Sequence, residues 1–350
     1  MKKIYFSTLL SAILVAALVM TACSKSGSGD SGADSAAKRK VIIDTDAGSD
    51  DAAALMLAAT SEKLDILGVT VLYGNVPLDA AAKNALMVLE VCGSDAPAYI
   101  GADKPLTKYR EEMISVHGED GMGDQDLIHP KGSAEDKAAV DFMLETIKAN
   151  PGEVEIIALG PLTNIAQAIQ KDAETMKLVK HIWVMGTAGF GPGNASPVAE
   201  FNVYSDAESY DIVLKAELPM TIVGLDCMLE ETRLSQADMD AMAKGTDCGK
   251  FMNKAFTKLF AFYQSLGQNM GVPDALAVAA VIWPEYVLET KKCYGVACIG
   301  DDAAYGQIIL YQEGAVYEAM PEIGNYNLDV VTGIDTKLYK KNFMKIMTGK

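Results

Sequence analysis

Val41-Ile42-Ile43-Asp44-Thr45-Asp46-Ala47-Gly48-Ser49-Asp50-Asp51 is an apolar run that ends abruptly in four carboxylates. The run is short and β-branched and predicts a buried strand. The Ala-Gly-Ser break followed by Ala52 to Ala59 predicts a turn into a helix. Ligands in open α/β sheets sit at the carboxyl ends of strands, which is where these acids fall. Four carboxylates so close in sequence repel one another, and no Lys or Arg lies among them. A hard cation is the natural partner. Calcium accepts about six to eight oxygen ligands with tolerant geometry, so it suits several Asp ligands better than magnesium does. Capping of the next helix by Ser49 or Asp50, with Asp51 complementing its dipole, explains one or two of these acids but not four.

Working outward, strand and helix patterns alternate. Leu64 to Tyr73 predicts a strand, Leu78 to Cys92 a helix and Ala98 to Ile100 a short strand. A helix over Ala134 to Ala149, a strand over Val154 to Leu159, a helix over Leu162 to Ile169 and a strand over Ile182 to Met185 follow. The order implies an α/β fold, a mainly parallel central sheet with helices on both faces. Polar motifs recur at strand ends: Gly74-Asn75, Gly160-Pro161-Leu162-Thr163-Asn164, and a loop from Gly186 through Asn194 to Glu200-Phe201-Asn202. Several strand ends therefore converge on one rim.

Arg110 to Lys131 carries His117-Gly118-Glu119-Asp120-Gly121-Met122-Gly123-Asp124, too rich in glycine and acid to be core. A long loop in a compact domain is often functional, and His117 is its informative residue. Of the other two histidines, His181 precedes an apolar strand and His129 precedes Pro130, which reads as structural. From Cys248 to Gln264, Phe251, Ala255, Phe256, Leu259, Phe260 and Tyr263 recur at helical spacing. Such a stripe is ordinarily core, although Phe262 and Tyr263 are placed to stack on a planar base. Asp274, after Pro273, opens an apolar helix and could be only a cap.

At the start of the chain, Lys2-Lys3 and the apolar stretch Ile4 to Met20 predict an export signal over residues 1–22. Met20-Thr21-Ala22-Cys23 resembles a bacterial lipobox, with Met20 where Leu is usual, and implies a lipid anchor on Cys23. Residues 23–39, rich in Ser, Gly and Asp, read as a flexible tether. Residues 40–350 are expected to form the folded body, and a lipid on Cys23 would hold an exported protein at a membrane. The formal net charge of -17 argues against nucleic acid as partner, since such binding draws on an excess of Lys and Arg. Besides Cys23 the body has Cys92, Cys227, Cys248, Cys293 and Cys298, so at least one stays free or pairs outside the chain.

Taken together, Asp44-Thr45-Asp46-Ala47-Gly48-Ser49-Asp50-Asp51, Gly74-Asn75, His117-Gly118, Leu162-Thr163-Asn164, Asn194, Glu200-Phe201-Asn202 and Asp274 resemble the inosine-uridine-preferring nucleoside hydrolase family, in order and approximate spacing from about Lys40 to Val281. The resemblance implies hydrolysis of the N-glycosidic bond of a small ribonucleoside, giving ribose and free base over a calcium ion. By it Asp46, Asp51, the carbonyl of Thr163 and Asp274 would hold Ca2+, and Asp46 would also take the proton from the metal-bound water. Asp50, Asn75, Asn194, Glu200 and Asn202 match the residues that grip ribose, His117 matches a base-side histidine, and Asp44 would support the ligands. Members are often dimers or tetramers, so a homo-oligomer is implied.

The chemistry agrees with such a residue set, because breaking the bond develops positive charge on the sugar that nearby oxygens stabilise. Buried groups that bond the ribose hydroxyls would also reject 2′-deoxy substrates. Two departures stand out. Ala47 replaces the family's Pro, with Gly48 retained for unusual backbone angles, and Pro273 replaces a histidine that protonates the leaving base. Rival readings are a nucleoside- or sugar-binding lipoprotein with little or no turnover, which needs no acid cluster, and an Asp-x-Asp phosphatase, which leaves Asp50, Asp51 and Glu200-Phe201-Asn202 without work.

Overall fold

The computed structural model describes residues 37–108, 114–300, 303–318 and 323–350; the export signal, Cys23 and most of the tether lie outside them. The strands are β1 (Arg39–Thr45), β2 (Leu64–Val71), β3 (Ala98–Ile100), β4 (Val154–Ala158), β5 (His181–Met185), β6 (Met220–Val223), β7 (Val287–Ala297), β8 (Ile308–Gln312) and β9 (Leu328–Ile334). They form one nine-stranded sheet in the order β3-β2-β1-β4-β5-β6-β9-β7-β8. Pairing is parallel from β3 across to β9, and antiparallel where β7 joins β9 and β8. The mainly parallel sheet is thus as the alternation implies, and the antiparallel edge is an addition.

Alternation along β1 divides the interior. Val41 and Ile43 enter one core, with the helices Ser49–Ala59, Leu78–Cys92 and Pro273–Ile282, while Ile42 enters the other, with Ala139–Ala149, Thr163–Lys171 and Ala207–Lys215. A strand buried on both faces is expected in a sheet covered by helices on each side. Ser49–Ala59 is apolar nearly all round and buried along all but its last residue, because it lies between the sheet and Pro273–Ile282.

The chain moves from β1 outward to β2 and β3, then returns to place β4 on the other side of β1. The crevice between the ends of β1 and β4 is therefore the topological switch point, where open α/β sheets bind their ligands. Leu159, just past β4, donates its N–H to the Asp44 carbonyl at 2.8 Å and holds the two strand ends in register. The helix expected from Ala134 starts at Ala139 instead, because Glu135 bridges to Tyr99 at the sheet edge. The apolar stripe from Cys248 is two helices, Asp247–Ala255 and Thr257–Ser265. No helix among the described residues is long and apolar enough to cross a membrane.

Candidate active site

Two buried helices begin at the switch point. Asp50 and Asp51 lie in the first turn of Ser49–Ala59, and Asp274 in the first turn of Pro273–Ile282. Helix N-termini carry partial positive charge, which offsets some of the repulsion between these acids. Oxygens of Asp50, Asp51 and Asp274 all come within 4.8 Å of one another. Asp50, expected on the ribose, is therefore also placed to share a cation.

The remaining contacts fix the carboxylates from behind. Asp51 Oδ1 accepts the Thr45 hydroxyl at 2.6 Å, and Oδ2 accepts the Gly48 N–H at 3.1 Å and the Asn75 amide at 2.9 Å. Asp46 Oδ2 accepts the Asn75 backbone N–H at 2.6 Å, while Asp46 Oδ1 is buried with no hydrogen-bond partner among the described residues. Asp44 Oδ1 accepts from Asn164 at 2.8 Å and from the Thr70 hydroxyl, which orients it as a supporting residue. Burial and then the charge of Asp50 push Asp51 up to about 7. Burial, and then Asp51, raise Asp46 and Asp274 well above the ordinary carboxylate range. An orphaned Asp46 oxygen beside three clustered carboxylates, all hard oxygen donors, fits a divalent cation.

Ala47 and Gly48 share the turn in a way the sequence misassigns. Gly48 has an ordinary φ of -74°, and the left-handed angle, +32°, falls on Ala47. Gly48 is needed for closeness instead, since a Cβ there would lie 2.8 Å from Asn75 Nδ2. Gly74 is tighter still, with a Cβ 2.0 Å from Asp46 Oδ2.

Thr163 is placed differently from expectation. It is the first residue of its helix, where N–H groups face the helix start and carbonyls point down the axis. Its hydroxyl donates to Asp206 at 2.7 Å. The carbonyl at the strand end belongs to Leu159, which lines the cavity and accepts the Asn202 amide at 2.7 Å.

Above the acids opens a cavity of about 470 Å³, a size usual for small-molecule sites. Asp50, Asn75, His117, Asn194, Glu200 and Asn202 all line it. Asn194 Oδ1 accepts the Phe201 N–H at 2.9 Å, which leaves its amide N–H groups for a ligand. Glu200 caps the helix Phe201–Ser205 by accepting from Asn202 at 2.9 Å and Val203 at 3.2 Å. Its burial pushes the carboxyl up to about 7. His117 is buried, and Pro273, Leu259, Phe262 and Tyr263 also border the cavity, whereas Phe251, Ala255 and Phe256 pack into the core. His129 is exposed, and His181 on β5 bonds Thr221 on the neighbouring β6 at 2.8 Å. Sequence reasoning missed Leu159, Met185, Asp226, Arg233 and Gln268 on the cavity wall, which no local motif marks.

The sequence pattern of the inosine-uridine preferring nucleoside hydrolases matches residues 41–341. The chain belongs to this family. Uridine nucleosidase 1 of Arabidopsis thaliana is 38% identical over 273 residues, 75% of this chain and 80% of that protein. Among solved structures, the plant nucleoside hydrolase PpNRh1 superposes with a TM-score of 0.84 at 27% identity, covering 90% of this chain and all of the other (100%). A purine-preferring ribonucleoside hydrolase from Gardnerella vaginalis gives 0.80 at 27% identity, covering 89% and 98%. This nucleoside hydrolase is an enzyme acting on N-glycosyl bonds.

Proposed function

We propose that the enzyme hydrolyses the N-glycosidic bond of ribonucleosides to ribose and free base, that the reaction depends on calcium, and that Asp46 is the general base. The observation that carries this reading is the buried Asp46 oxygen, partnerless among the described residues and within electrostatic reach of the clustered carboxylates of Asp50, Asp51 and Asp274, two of which lie at a cavity that Asn75, Asn194 and Asn202 also line. Asp46, Asp51 and Asp274 would hold the ion, with Asp50 at its edge and the Leu159 carbonyl in place of that of Thr163. Calcium when bound supplies a hard positive charge that makes water more acidic and fixes a vicinal diol.

The chain's own residues do the rest. Asp46 takes the proton of the attacking water, its other oxygen held by the Asn75 N–H so that the free one faces the reaction. Asn75, Asn194 and Asn202 each retain amide atoms for ribose hydroxyls after satisfying the fold. Glu200 and Asp50 place negative charge beside a sugar that becomes cationic as the bond breaks. The reading extends to an exported protein, lipid-anchored through Cys23 as Met20-Thr21-Ala22-Cys23 suggests, and to a homo-oligomer as in the family. Incubation of the purified protein with uridine, inosine and 2′-deoxyuridine, in calcium and in excess chelator, tests it. Free base should appear from the ribosides with calcium only. Equal release from the deoxyriboside, or full activity in chelator, contradicts the proposal.

A further inference from the structure

Pro273 lines the cavity and has no proton to give a departing base. Another part of the wall is built by Arg233, Phe262, Tyr263, Leu266 and Gln268. Among the described residues, Arg233 is the Lys or Arg that lines this cavity, amid Asp50, Glu200, Asp226 and Asp274. Its side chain is only 13% exposed and is firmly held. Nη1 donates to Gln268 Oε1 at 3.2 Å and to the Asn269 carbonyl at 3.0 Å, and Nε lies 3.7 Å from Glu230. Nη2, with two N–H groups, has no hydrogen-bond partner among the described residues. The guanidinium carbon lies 5.4 Å from the centre of the Tyr263 ring, and Phe262 meets Tyr263 edge to face at 5.6 Å. Burial, and then Asp50, push the Tyr263 phenol up to about 12 while Arg233 opposes them, so Tyr263 lies within electrostatic reach of both the acid floor and the cation.

We propose that Arg233 is the base-selecting residue, holding the carbonyl oxygen and the developing negative charge of a departing pyrimidine such as uracil. The inference rests on the hydrolase reading of the same cavity. As water's oxygen bonds to C1′ and its proton passes to Asp46, the C1′–N bond breaks and its electron pair goes to the base nitrogen. In uracil that pair spreads onto the adjacent carbonyl oxygens, and a guanidinium can hold this charge by charge-assisted hydrogen bonds without giving up a proton. The released anion then takes a proton from solvent. Adenine has no carbonyl for a guanidinium to grip, so its departure depends on protonation of a ring nitrogen, for which Pro273 offers nothing. A planar, stacked cation is also not replaced by lysine, whose ammonium lacks the fork of donors.

The full chain, loaded with calcium, tests this as wild type, Arg233→Gln and Arg233→Lys. Two measurements are needed: kcat/KM for uridine, adenosine and p-nitrophenyl riboside, and calorimetric binding of 5-fluorouracil, an acidic pyrimidine. Arg233→Gln should slow uridine by about 10- to 100-fold, the loss expected for a charged hydrogen bond, with far smaller losses on the other two substrates. It should weaken 5-fluorouracil binding in parallel, and Arg233→Lys should recover only part of each. Equal losses on all three substrates, or unchanged binding, overturn the assignment. If wild type releases no base at all yet Arg233→Gln still loses 5-fluorouracil, the hydrolase reading falls and the base site stands.

Discussion

The backbone N–H of Ser49 donates to Nδ1 of His117 at 3.3 Å, and the Ser49 hydroxyl lies 2.9 Å from the same nitrogen. A backbone N–H can only donate, so Nδ1 must be unprotonated and the ring proton sits on Nε2. Burial lowers the His117 pKa against the opposing charge of Asp50, which keeps the ring neutral. His117 is therefore a neutral hydrogen-bond donor on the cavity wall rather than a cationic acid. Its imidazole nitrogens should show the Nε2–H tautomer in NMR spectra at pH 7, with no titration near 6.5. A rise in charge on His117 near pH 6.5 contradicts the geometry.

Because neither Pro273 nor a neutral His117 is a strong acid, leaving groups that need no proton should have the advantage. Turnover of p-nitrophenyl riboside should exceed that of inosine or adenosine. His117→Ala should slow the nucleosides by about tenfold, the worth of one hydrogen bond to charge, and the nitrophenyl riboside less. Equal turnover on inosine and nitrophenyl riboside in wild type, with equal losses in His117→Ala, refutes this.

Metal-free protein should lose stability as the solution becomes less acidic. Burial holds Asp44 at about 6, and Asp51 and Glu200 at about 7, against about 4 in an unfolded chain. The fold then binds protons that the unfolded chain has released, so this contribution is complete below about pH 4 and is lost as pH rises through 6 to 7. Calcium needs the ionised carboxylates, so its affinity should rise over the same interval and its binding should release protons. Thermal unfolding from pH 5 to 8, in chelator and in calcium, reads both effects. Glu155 behaves oppositely: burial would raise it, but Arg39, Trp183 and Lys180 hold it at about 2. Its contribution is present above about pH 4.5 and fades as pH falls toward 2. A metal-free Tm that climbs from pH 5 to 8 contradicts the assignment.

Two glycines should prove intolerant for steric reasons. Gly48→Ala brings a Cβ to 2.8 Å from Asn75 Nδ2, and Gly74→Ala brings one to 2.0 Å from Asp46 Oδ2. Overpacking of this kind costs about 1–3 kcal/mol, and both changes displace carboxylate-holding contacts. Each variant should lose stability and calcium affinity, Gly74→Ala the more. Unchanged calorimetric affinity in Gly74→Ala would show that Asp46 is not at the ion.

How much of this was legible depended on whether the signal was local. The strand from Val41, the turn, the acids and the apolar helix after Asp274 lie within short windows, and their patterns reach from residue to site directly. Thr163 misled because a motif names a residue but not which way its carbonyl points; the helix start sends it away, and Leu159 occupies the strand end. Ala47 and Gly48 misled because a glycine serves equally for angle and for closeness. The antiparallel edge was hidden by Glu289, Lys291 and Lys292 in β7, charged residues that break the apolar pattern of a strand. Arg233 meets Tyr263 only through tertiary folding, and Gln268, whose N–H closes the turn onto the Tyr263 carbonyl at 3.0 Å, sits in no recognisable motif.

The proposed membrane attachment should be separable from catalysis. If Cys23 is acylated, each buried methylene contributes about 0.8 kcal/mol to holding the protein at a bilayer. Cys23→Ala should move the protein from the membrane fraction to the soluble exported fraction with its kcat unchanged. Wild-type protein found soluble in the cytoplasm rules the anchor out.

The central claim is that Asp46 removes the proton of the attacking water, and single-turnover release of uracil from uridine by Asp46→Asn in saturating calcium tests it most directly. Loss of a general base lowers the rate by about 100- to 10,000-fold. The account predicts a loss in that range in calcium-loaded variant whose fold, judged by its thermal unfolding, is intact. Near-normal release of uracil by Asp46→Asn contradicts it.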